Sequence, residues 1–126
     1  VLAADTTVFA AGEILAKPES FADAKRIWSH LQAADHCVLT GIALWHDGVV
    51  LQRVVSTQVD FAGIPEAEQR AYWDTGEPQD KAGGYAIQGR AALYIRGIEG
   101  SYSNVVGLPL AETAALLRQA NYPLWL

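Results

Sequence analysis

The chain has no methionine, a single cysteine, and only nine lysines and arginines against fourteen acids in 126 residues. With Cys37 alone no internal disulfide can form, and its place in an apolar run predicts a buried thiol in a reducing compartment. A formal charge of -5 supplies no basic face for a nucleic acid backbone, so a nucleotide partner would be a single nucleotide rather than a polymer. No apolar run approaches the roughly 20 residues of a membrane span, and no basic, apolar leader opens the chain, which makes the cytoplasm the default expectation. CxxC, HExxH and Walker loops are absent and the histidines at 30, 36 and 46 lack metal spacing, which removes zinc proteases and P-loop NTPases. Neighbours on a strand point to opposite faces, so His36 and Cys37 do not make a nucleophile pair. The opening Val1-Leu2-Ala3-Ala4-Asp5 reads as the middle of a strand in a chain that has been cut, with upstream sequence expected to pair with it or pack on it.

What is present fits one domain. Residues 1–9 read as a strand and residues 14–16 as a second, short one stopped by Lys17-Pro18. Ser20-Phe21-Ala22-Asp23 is a capping signature, and Phe21, Ala24, Trp28 and Leu31 follow at helical spacing, predicting a helix over 21–33. Residues 36–46 and 49–61 are β-rich runs separated by Asp47-Gly48, a dipeptide suited to a type I′ turn. A short helix is expected over 64–73, a strand over 91–98, a turn over 100–104 and a helix over 109–120. The four tryptophans, at 28, 45, 73 and 125, are expected in the core or at an interface. Mixed helices and strands without repeats predict an α/β domain layered α/β/α around a mixed sheet that contains a long antiparallel hairpin.

Residues 76–89 hold two carboxylates, a lysine and four glycines, with neither helical nor strand periodicity. Glycine lets a main chain approach a ligand closely, and carboxylates with an ammonium group supply what a polyphosphate and its divalent cation need. Asp5 interrupts a strand where an apolar residue would pack better; it is either a turn aspartate or a carboxylate that binds metal or takes a proton. Lys17 is a solvated surface group or a point charge on a phosphate, and Glu77, Asp80 and Lys81 are a surface cluster or a metal and phosphate site. Residues 101–109 read as a hydroxyl-rich turn, with orientation of the neighbouring loop as the alternative.

Ala4-Asp5-Thr6, Ile14-Leu15-Ala16-Lys17-Pro18, the Gly76-Glu77-Pro78-Gln79-Asp80-Lys81-Ala82-Gly83 stretch with Tyr85-Ala86-Ile87-Gln88-Gly89, and the run from Gly100 through Ser101-Tyr102-Ser103-Asn104 to Pro109 together resemble the Maf family of nucleoside triphosphate pyrophosphatases. The four motifs stand in the family's order and span nearly the whole chain. The resemblance implies hydrolysis of dTTP, UTP or modified pyrimidine nucleotides to the monophosphate and pyrophosphate, with Mg²⁺ or Mn²⁺, as housekeeping of the nucleotide pool. It implies Asp5 as the proton acceptor or a metal ligand, and Glu77 and Asp80 as further metal ligands. Lys17 and Lys81 would neutralise phosphate charge. Thr6 and Gln88 match positions of the dTTP/UTP branch rather than the 7-methyl-GTP branch, and a glutamine amide suits the paired donor and acceptor edge of uracil or thymine.

By the same resemblance the chain corresponds to the C-terminal two-thirds of a family member. A segment bearing a serine, an arginine pair and a further acid would precede it, and a strand would lie beside residues 1–8. A homodimer is also implied. The alternative is a catalytically inactive nucleotide-binding or interaction module without that arginine segment.

Overall fold

The structure, a computed structural model, describes residues 1–33 and 35–125. Its centre is a five-stranded sheet formed by β1 (Leu2–Ala10), β2 (Glu13–Leu15), β3 (His36–His46), β4 (Val49–Phe61) and β5 (Ile95–Glu99), in the order β2-β1-β3-β4-β5. Every pairing is antiparallel. The α/β class and the long hairpin are as expected; the sheet is antiparallel throughout, where a mixed sheet was expected. The hairpin turns at Asp47 (φ 49°) and Gly48 (φ 77°), both in the left-handed region that a type I′ turn demands. From it the register runs without a break from His46 opposite Val49 to His36 opposite Val59. Pairing between β1 and β2 covers only Val8 to Ala10 on β1, so among the described residues the edge of β1 at residues 2–7 has no strand beside it.

The described residues form four α-helices: α1 (Phe21–Ala33), α2 (Glu66–Asp74), α3 (Tyr102–Val106) and α4 (Leu110–Gln119). Helix α1 starts where the capping signature sits: Ser20 Oγ accepts the Asp23 N–H at 3.1 Å, and the Asp23 carboxylate accepts the Glu19 N–H at 3.0 Å. Its buried face is Ala24, Ile27, Trp28 and Leu31. These side chains meet Val8, Val38, Val59 and Phe61 of the sheet, while Leu116 and Ala120 close over Ile42 and Leu44 at the other end. All of these sheet residues belong to one face. Among the described residues the helices therefore form a single layer on that face, not the layer on each side that the sequence suggested.

Two segments differ from expectation because of side chains that bond to their backbone N–H groups. Residues 91–98 are not one strand: Arg90–Tyr94 is a 3₁₀ turn and the strand begins at Ile95. The Glu77 carboxylate accepts the N–H groups of Arg90 and Ala91, which satisfies donors that a helical turn leaves free and a strand would spend on its neighbour. Residues 100–104 are not a simple turn either. Ser101 Oγ accepts the Asn104 N–H at 3.1 Å and starts α3. Cys37 is half-buried rather than buried, because it lies on the sheet face without helices. Of the tryptophans, Trp28 is fully buried whereas Trp45 and Trp125 are exposed. No helix among the described residues is long and apolar enough to cross a membrane.

Candidate active site

The strand period decides which residues of β1 can share a site. Thr6, Val8 and Ala10 face the helices, and Asp5, Thr7 and Phe9 face the other way. On the helical side a cavity of about 250 Å³ opens between β1, the 76–89 loop and α3. Val8, Val38 and Tyr85 give it an apolar interior, Val105 and Val106 one wall, and Lys17, Asp80, Lys81 and Gln88 its polar groups. Thr6 lines it as well. The Thr6 hydroxyl is engaged with the protein, donating to the Gly107 carbonyl at 3.2 Å and sharing a 2.9 Å bond with Thr40 Oγ1.

The structure thus brings together Thr6, Lys17, Asp80, Lys81 and Gln88 of the residues expected from sequence. Two glycines let it do so. Gly83 (φ 77°) donates its N–H to the Ala16 carbonyl at 3.2 Å, which ties the loop carrying Lys81 to the residue before Lys17. Gly84 (φ 69°) offers its carbonyl to Trp28 Nε1 at 2.8 Å. Lys81 and Asp80 lie 3.4 Å apart, a half-exposed pair of modest strength whose charges stay available to a ligand.

Asp5 and Glu77 stand apart from this group. Asp5 is exposed beside Gly41 in a shallow recess of about 280 Å³ on the opposite face of the sheet, shared with Gln52, Arg53 and Val54. The desolvation cost that a mid-strand aspartate implied is therefore not incurred. Both Glu77 oxygens are held by the protein: Oε1 accepts the Arg90 N–H at 2.9 Å, and Oε2 accepts the Ala91 N–H at 3.3 Å and the Tyr72 hydroxyl. The expected set of three metal-binding carboxylates does not assemble. Among the described residues no three His, Cys, Asp or Glu side chains gather as a metal group. What the cavity offers is one carboxylate, Asp80, which suits a cation that arrives on a polyphosphate and keeps its other ligands as phosphate oxygens and water.

Several residues behind the cavity carried no sequence-level assignment. His36 is fully buried, and its Nε2 lies 2.6 Å from the Tyr85 hydroxyl; burial pulls its imidazole from 6.5 to about 4, so it is neutral near pH 7. Burial pushes the Tyr85 phenol up, and burial together with Glu77 does the same to Tyr72. Asn104, also fully buried, extends its amide to the Val38 and Val55 carbonyls at 3.0 and 3.1 Å and to Thr57 Oγ1 at 2.9 Å, fixing α3 over the sheet. The expectation of a buried Cys37 put the wrong side of β3 in the core; His36 is the residue that faces it, and its partner, 49 residues away, had no local signal.

Residues 1–120 match the family model described as Maf-like protein. The chain belongs to the Maf-like family. Among its relatives, a protein named dTTP/UTP pyrophosphatase from Anaeromyxobacter dehalogenans strain 2CP-C is 52% identical over 128 residues, covering 98% of this chain and 66% of the relative. Proteins of the same name from Hahella chejuensis and Acinetobacter baylyi are 46% and 49% identical, covering 99% and 96% of this chain and 62% and 66% of their own lengths. This Maf-like chain thus spans a little under two-thirds of the curated relatives it matches, and its alignment with them takes in the whole of the cavity.

Proposed function

We propose that this chain carries the nucleotide site of a dTTP/UTP pyrophosphatase. The observation that carries the reading is the convergence of Lys17, Lys81, Asp80 and Gln88 on one cavity in a chain whose relatives bear that name. Lys17 and Lys81 would hold the triphosphate and offset its charge, which matters most as negative charge builds on the departing pyrophosphate. Gln88, exposed at the rim, would present its carbonyl and amino groups to the N3–H and O4 edge of uracil or thymine. Asp80 would hold a Mg²⁺ or Mn²⁺ ion together with phosphate oxygens, and the cation would supply further charge neutralisation.

The reaction adds water to the α-phosphorus, breaks the bond from that phosphorus to the α–β bridging oxygen, and releases pyrophosphate. Asp5 is the proposed acceptor of the water's proton. It is one residue from Thr6, on the edge of β1 that lacks a neighbouring strand among the described residues, so the triphosphate would extend from the lysines toward that edge. The inactive-module alternative is not favoured, since relatives matching nearly all of this chain are named as pyrophosphatases.

The test is incubation with dTTP, UTP, CTP and GTP in the presence of Mn²⁺, with pyrophosphate and orthophosphate measured separately. Pyrophosphate from dTTP and UTP, abolished by Asp5→Asn, is expected. Orthophosphate as the direct product, or full turnover in Asp5→Asn, would refute the assignment.

A further inference from the structure

Gln88 is exposed, yet the chain on both sides of it is pinned. Before it, the Tyr85 hydroxyl meets His36 Nε2 at 2.6 Å and the Ala86 N–H donates to the Tyr72 hydroxyl at 3.4 Å. After it, the N–H groups of Arg90 and Ala91 donate to Glu77. The two anchors are joined, because the Tyr72 hydroxyl that accepts from Ala86 donates to Glu77. Gly89 confirms how tightly the pieces fit: a Cβ there would overlap the Glu77 carboxylate. That carboxylate is not free to swing away, since three donors hold it.

We propose that Glu77 and Tyr72, with His36 behind them, are positioning residues that fix segment 85–91 and thereby set the direction of the Gln88 amide, making them determinants of base selectivity. This rests on the nucleotide reading given above. An amide discriminates between uracil and cytosine only if its carbonyl and amino groups are held in register with the base edge, because cytosine exchanges both the donor and the acceptor. A loosened segment lets Gln88 adopt the orientation that suits the wrong base. The assignment also separates Glu77 from metal binding: three protein donors, one of them a hydroxyl beneath the loop, already occupy most of the acceptor sites of its carboxylate and hold it away from the cavity's other polar groups.

The experiment compares Glu77→Ala, Glu77→Gln and Tyr72→Phe with the parent chain. The readouts are kcat and KM for UTP and CTP, the Mn²⁺ concentration giving half-maximal rate, and amide hydrogen exchange at Arg90 and Ala91. Glu77→Ala should lower the UTP-over-CTP ratio of kcat/KM by about tenfold, mainly through a higher KM for UTP, with the Mn²⁺ midpoint unchanged. Glu77→Gln should recover part of that ratio, because its amide oxygen still accepts from the Arg90 N–H. Tyr72→Phe should fall between the two and covers the case in which Glu77→Ala does not fold. An unchanged ratio in folded Glu77→Ala, or a shift of the Mn²⁺ midpoint in Glu77→Gln, would overturn the proposal. If the parent hydrolyses no nucleotide, it is the function that fails, and the latch is still decided by exchange: faster exchange at Arg90 and Ala91 in Glu77→Ala supports the latch, and unchanged exchange rejects it.

Discussion

The two faces of the sheet are built from the same strands and differ in almost everything else. Toward the helices, Val8, Val38, Ile42 and Leu44 are at most 3% exposed, and the polar residues among them, Thr40, Thr57 and His36, are all bonded to a loop or helix above. On the reverse face Phe9, Trp45 and Val54 are 41%, 52% and 76% exposed, and the wide strip around Gly41 carries Asp5 without a covering element among the described residues. Because side chains alternate, one short motif, Ala4-Asp5-Thr6, contributes to both environments. A motif that is contiguous in sequence is thus divided in space: Thr6 is embedded in an organised wall, while Asp5 stands on open ground. Substitutions matched across the two faces test how far that contrast extends.

Tryptophans give the largest expected difference. Trp28 is fully buried in α1 and donates to the Gly84 carbonyl, so Trp28→Ala removes a large core side chain and the anchor of the glycine loop together. A loss of about 3–5 kcal/mol is expected, and more if the loop detaches. Trp45→Ala on the reverse face should cost less than about 1 kcal/mol. Urea unfolding of both variants decides the matter, and comparable losses would mean that the reverse face is covered in solution.

Acid is the second way to probe the helical face. His36 has a native pKa of about 4 against 6.5 in an unfolded chain, so between those values the unfolded state binds a proton that the native state does not. Stability should therefore fall as pH drops from about 6.5 to 4, by up to roughly 3 kcal/mol in all. Asp23, held low by the Glu19 N–H and then by Arg26, and Asp60, held low by Arg96, have pKa values below the usual 3.8, so their native advantage is lost only at lower pH. The window above pH 4 thus reports mainly on His36. Unfolding midpoints measured across it should slope steeply in the parent and flatten in His36→Gln; an equal slope in both would place the proton elsewhere.

These residues also mark where the sequence was legible. The hairpin and α1 were predicted residue for residue, because their determinants, Asp47-Gly48 and Ser20 with Asp23, lie within the elements they shape. The 3₁₀ turn at Arg90–Tyr94 was not, since the carboxylate that stabilises it lies 13 residues upstream. At the site, Lys17, Asp80, Lys81 and Gln88 could be selected from residue chemistry and resemblance, and they do share a cavity. Asp5 and Thr6 were expected at one site; the structure divides them between the two faces of the sheet, and periodicity cannot say which face the helices will cover. The roles of Tyr72 and Glu77 were hidden for another reason: their partners include backbone N–H groups, which every residue possesses and no composition reveals.

Glycines supply the finest comparison, since adding one methyl group tests backbone and space at once. Gly83 on the helical side has φ 77°, and an added Cβ would lie 3.2 and 3.3 Å from the two methyl groups of Val8, itself only 3% exposed and unable to move away. Left-handed backbone costs a non-glycine residue about 1 kcal/mol, and relieving the contact adds a similar amount, so Gly83→Ala should lose roughly 2 kcal/mol. The variant should also weaken the bond that the N–H at position 83 makes to the Ala16 carbonyl, seen as faster amide exchange at that position. Gly41 lacks a positive φ and a Cβ there meets nothing within 4 Å. Gly41→Ala should stay within about 0.5 kcal/mol of the parent, with the reduced freedom of its unfolded chain favouring slight stabilisation. A cost at Gly41 equal to that at Gly83 would require a group packed close against the strip beside Asp5, and the contrast between the faces would then belong to the described residues alone rather than to the protein in solution.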